Sequence, residues 1–180
     1  MFARQIRLLA LTLVFGAVAA QGQAGGQTSK GGAVSLTPNA AGLVTTHDGL
    51  AAQFRRLTQA ATGATAKASD RTALASFVRG KVVPQINQEV AALFPTFDSI
   101  VGGGYAVPAT LFDLDAVSYL VKELERTAAN GDRAAFETRT FALGLSLETY
   151  FTKVQLLVLP VLNERLGEAA FQRLEVERNP

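Results

Sequence analysis

From residue 136 to residue 161 the positions Phe136, Thr140, Leu143, Leu147, Tyr150, Val154, Leu157 and Val161 succeed one another by alternating steps of four and three, and all but one are hydrophobic or aromatic. An α-helix turns once in about 3.6 residues, so these positions share one face of a helix. A stripe of this length has to be buried, and helices bury such stripes against other helices.

Three more segments carry the same pattern. Thr37-Pro38 is a helix opening, with Thr as N-cap and Pro at the first position, where its missing N–H costs nothing. Leu43, His47, Leu50, Phe54, Leu57 and Ala61 then form one face, and the chain's single His sits within it. A second helix opens near Ser69-Asp70 and runs past Phe94, with Leu74, Val78, Val82, Gln85, Glu89 and Leu93 in line. Pro84 removes a bond to the carbonyl of Gly80, which predicts a kink there, and Pro95 predicts an irregular last turn. Gly102-Gly103-Gly104 breaks the chain before a third helix from Pro108, whose face reads Thr110, Leu114, Val117, Val121, Leu124 and Ala128. Asn130-Gly131 ends that helix, Asp132 caps the fourth, and Gly167 stops it. A tail over residues 169–176, with Phe171 and Leu174, is expected to fold back on the helices. No segment alternates with period two, so no sheet is expected. The prediction is an all-α fold, an antiparallel up-and-down four-helix bundle with a short C-terminal helix, over residues 37–180.

The N-terminal residues are of another kind. Arg4 and Arg7 precede an uncharged, mostly apolar run from Leu8 to Ala20, with small residues at Ala17-Val18-Ala19, the pattern of a secretory signal peptide over residues 1–19. A membrane anchor is the rival reading, but a spanning helix needs about 20 apolar residues. Residues 20–36 are dominated by Gly, Gln, Ser, Thr and Ala and read as a flexible linker. Export to the periplasm or the medium is therefore expected, with membrane contact only through the signal segment before cleavage.

Cleavage would remove two Arg and no acid, which turns 17 basic residues into 15 against 15 acidic ones. No basic stripe remains to neutralise phosphates, so nucleic acid is not an expected partner; an unidentified protein or small molecule is. With no Cys there is no disulfide, thiolate metal site or c-type haem attachment. The hydrophobic fraction of 48% is enough for one core that holds the fold alone.

His47-Asp48-Gly49-Leu50, then Gln85-Ile86-Asn87-Gln88-Glu89 and after it Leu93-Phe94-Pro95, then Leu114-Asp115-Ala116-Val117, then Tyr150-Phe151-Thr152-Lys153-Val154 and after it Leu159-Pro160, stand in the order and spacing of a known frame. From about Thr45 to Leu174 the chain resembles the hemerythrin-like (HHE cation-binding) domain family. The resemblance implies a four-helix bundle and assigns six positions to ligands of a metal pair. His47 and Glu89 are retained; Gln85 stands for a His, and Leu114, Tyr150 and Val154 for a His, a His and a Glu. One His cannot serve a dinuclear iron site, so reversible oxygen carriage is not expected.

The remaining residues allow two readings. In the first, His47, Glu89, Gln85 and Tyr150 form a buried polar cluster in which each group satisfies another, no cofactor is bound, and the protein is a non-catalytic binding or accessory protein. In the second, His47 and Glu89, supplemented by Gln85 or the Tyr150 phenol, hold one iron or other divalent ion in a metal-binding or weak redox protein. No nucleophile or oxyanion device accompanies these residues, which weighs against an enzyme. Asp48 and Asp115, next to inward positions, read as solvent-facing.

Overall fold

The computed structural model describes residues 36–178, and the expected signal peptide and nearly all of the expected linker lie outside the described residues. Those described are helical almost throughout, with no strand among them. The elements in chain order are α1 (Pro38–Thr62), α2 (Ala68–Phe77), α3 (Val83–Val101), α4 (Ala106–Asn130), α5 (Arg133–Lys153), α6 (Leu159–Leu166) and α7 (Glu168–Arg178). Wide π turns at Val78–Val82 and Val154–Val158 join α2 to α3 and α5 to α6, so the seven elements make five continuous helices.

The helix ends are where the sequence puts them, for local reasons. Pro38 opens α1, although the Thr37 side chain makes no capping bond. Asp70 accepts a hydrogen bond from the Lys67 N–H at 2.8 Å and starts α2. Gly102 ends α3 in a left-handed conformation that a side chain would resist. The third long helix starts at Ala106 rather than Pro108, because both carboxylate oxygens of Asp98 accept from the N–H groups of Ala106 and Val107 and fill the role of a cap. Asp132 accepts from Ala135 N–H at 3.0 Å, the cap expected for α5. Arg133 reaches back to the carbonyls of Thr62 and Gly63, tying the end of α1 to the start of α5.

Two prolines are absorbed by the π turns. In each case the hydrogen-bond ladder steps from four residues to five, with Val83 N–H reaching the carbonyl of Val78 and Leu159 N–H that of Val154. Pro84 and Pro160 come immediately afterwards. The wide turn opens the ladder at Gly80 and Leu156, whose carbonyls the proline rings would otherwise meet. Pro95 is different: α3 continues through it to Val101 without a change of ladder, so the irregular turn expected there is absent.

The extra residue in a π turn rotates the rest of the helix about its axis. The expected stripe of the fourth segment holds through Val154, but Leu157 is exposed, and Val158, Leu159 and Leu162 are buried in its place. The three other stripes are buried or half-buried as expected. The core runs through all the long helices, and α7 packs against α1, α3 and α6 with Phe171 fully enclosed. Complete burial of a Phe or Leu contributes on the order of 1.5–3 kcal/mol. Gly144 lets α5 approach α1 closely, since a Cβ there would stand 3.3 Å from the Phe54 ring.

Candidate functional site

One polar cluster interrupts the core. His47 comes from the middle of α1, Gln85 and Glu89 from successive turns of α3, and Tyr150 from α5. His47 and Glu89 have no exposed surface and Tyr150 only 2%. Glu89 is the centre. Its Oε1 lies 2.7 Å from His47 Nε2 and accepts from Gln85 Nε2 at 2.5 Å, while its Oε2 accepts from the Tyr150 hydroxyl at 2.9 Å. All four residues named from the sequence therefore meet: His47, Gln85 and Tyr150 surround the one acceptor, Glu89.

Aromatic rings seal the cluster. Phe151 stacks on His47 with ring centroids 4.5 Å apart, and Tyr150 meets Phe151 edge-on. Phe94 is tilted against Tyr150 with ring centroids 6.4 Å apart. Burial pushes the Tyr150 phenol well above its ordinary range, and the Glu89 carboxylate beside it acts in the same direction, so the hydroxyl stays a donor. His47 Nδ1 is buried with no hydrogen-bond partner among the described residues.

A cation stands just outside. The Lys153 ammonium lies 5.6 Å from the ring centres of both Phe94 and Tyr150 and is held by Asp113, with Thr110 Oγ1 at 3.4 Å. Phe151 and Lys153 belong to the sequence frame of the fourth helix, but nothing in that frame marks them as partners of the cluster. A Lys one residue before the inward-facing Val154 is the available signal. Its anchors on α4 are remote in sequence and emerge only from the packing. Asp48 and Asp115 are exposed, as expected.

The six positions assigned to ligands can be tested against this geometry. Val154 is wholly buried and Leu114 half-buried, and neither has a donor atom to offer. Among the described residues no group of three or more His, Cys, Asp or Glu side chains comes together. A dinuclear centre does not fit. A single ion would have one carboxylate and one imidazole, whose facing atoms are already bonded to each other, plus a neutral amide and a phenol that holds its proton; that set does not fit a tight site either. No protein-family model, curated protein or solved structure matches the chain.

Proposed function

We propose that this chain is an exported protein of the hemerythrin-like type whose ligand positions have become a closed hydrogen-bond cluster, and that it acts as a non-catalytic binding or accessory protein in the periplasm or outside the cell. Its four long helices form an antiparallel up-and-down bundle. The short connections, residues 63–67, 102–105 and 131–132, support that arrangement, since so few residues can only turn a helix back on its neighbour. The carrying observation is the state of Glu89. A buried carboxylate with three protein donors on its two oxygens has its hydrogen-bonding capacity largely used inside the chain, and the one buried cluster atom without a partner among the described residues is His47 Nδ1, on the far side of the ring from Glu89.

The cluster then serves specificity of packing. Buried polar groups that satisfy one another hold α1, α3 and α5 in one register, because any slip leaves a donor or a carboxylate unpaired. Elemental analysis of the exported protein, purified without a His tag, with an absorption spectrum on the same sample, is the test. Metal far below one equivalent per chain is the expected result. Near-stoichiometric iron, manganese or zinc would overturn it and support the reading of a single ion on His47 and Glu89.

A further inference from the structure

The outer surface of α4 carries a feature that the core does not explain. Tyr105, Phe112 and Tyr119 recur every seven residues, which places them on one line along the helix and its N-terminal flank. They are 81%, 75% and 59% exposed. Beside this aromatic ridge a groove of about 210 Å³ runs between α4 and α5, lined by Asp113, Ala116, Leu145, Ser146 and Thr149. Leu145 and Phe141, one turn apart on α5, are themselves 41% and 46% exposed.

We propose that this face binds a second copy of the chain, with a two-fold axis setting the aromatic ridge of each copy into the α4–α5 groove of the other. Area is the first argument. Taking about 200 Å² for a fully exposed aromatic side chain, the four rings leave on the order of 500 Å² uncovered, and Leu111 and Leu145 add to it. That is at the upper end of what a monomer exposes in one patch, roughly 300–600 Å², and with a polar rim it approaches the ~800 Å² per partner of a stable interface.

Shape is the second argument. Ridge and groove lie side by side on one face, which is what a two-fold contact requires, because the same surface must present both halves of the fit. The groove is large enough for a ring, since a cavity of about 150 Å³ holds a benzene-sized molecule. Charge is the third. Lys153 beside the groove is paired with Asp113, Arg126 one heptad beyond Tyr119 is paired with Glu123, and the exposed charges Asp115 and Lys122 next to the ridge are one of each sign. A neutral, aromatic face suits a copy of itself; an anionic lipid surface would call for a basic surround.

Sedimentation equilibrium of the full-length protein as processed on export tests this. The expected result is a monomer–dimer equilibrium with micromolar Kd. Phe112→Glu and, separately, Tyr119→Lys should each weaken it by on the order of 30-fold or more with helical content unchanged, as for a residue at the centre of an interface. Gln53→Glu, on the exposed side of α1, should leave it unchanged. A protein that stays monomeric into the hundreds of micromolar overturns the proposal, as does a dimer indifferent to both ridge substitutions. Binding of a monomeric protein to anionic phosphatidylglycerol vesicles through Phe112 would overturn it in favour of a lipid surface.

Discussion

Two stretches of the molecule share a spacing and differ in what they do with it. Gln85, Glu89 and Pro95 stand at the same intervals as Tyr150, Val154 and Pro160. In the first stretch the helix keeps its α ladder through the proline, and the position four residues after Gln85 is the carboxylate at the centre of the polar cluster. In the second, the corresponding position is an apolar residue with no exposed surface, and it opens a π turn. The difference reflects how much each helix still has to bury. Beyond Pro95 the remaining residues of α3 are half-buried or exposed, so the loss of one ladder bond there disturbs little. Beyond Pro160 the chain still has to bury Leu162, so the proline has to be accommodated without losing the core face. Pro84 faces the same demand, with Ile86 and Glu89 still to be buried, and it too comes directly after a π turn.

The contrast breaks most sharply at Val154. Val154→Glu would make the second stretch copy the first, but the carboxylate would enter an apolar site with its own donors absent. A loss of about 3 kcal/mol or more is expected in urea unfolding, from desolvation of an unpaired acid. Unchanged stability, accompanied by uptake of one equivalent of iron or manganese, would mean that the two stretches still form halves of a metal site, and the distinction between them would fail.

A smaller effect sharpens it at Tyr150, the residue that joins the stretches through Glu89. Tyr150→Phe removes one donor and leaves Glu89 Oε2 without its bond, at an expected cost of about 1–3 kcal/mol at neutral pH. The pH dependence has a definite sign. The folded phenol is held above the ordinary tyrosine value of 10.0, chiefly by burial, so its contribution is complete below that value. Above it the unfolded chain releases the proton and the folded protein does not, and stability falls as pH rises. The phenylalanine variant lacks this slope, and the gap between the two proteins should narrow when unfolding is tracked upward through pH 10.0. A gap that stays constant would place the phenol in a solvated setting.

The helices and their buried faces were legible in the sequence because a period of fours and threes depends only on local geometry. The same periodicity places His47, Glu89 and Tyr150 inward, with half-buried Gln85 beside them, without knowledge of any contact. Two features escape it. Lys153 takes its place from Asp113 and Thr110 on another helix, and no local pattern encodes a partner some forty residues away. The π turns escape because an extra residue in a turn leaves the composition unchanged; the only local mark is a proline shortly after, and Pro95 demonstrates that a proline alone does not imply one.

The smallest expected effect tests the register change itself. A regular helix through residues 147–161 would bury Leu157 and turn Leu159 toward solvent; the π turn reverses them, leaving Leu157 59% exposed and Leu159 0%. Leu157→Ala should therefore alter stability by no more than about 0.5 kcal/mol, the range of surface substitutions. Leu159→Ala removes the same hydrocarbon as Leu157→Ala does, yet it opens space in a packed core and should cost about 2–5 kcal/mol. The two side chains are identical, so the pair separates the two registers whatever the absolute values. If Leu157→Ala proves the more damaging in denaturant melts, the helix continues through Pro160 as it does through Pro95, and the two stretches are alike in backbone as well as in spacing.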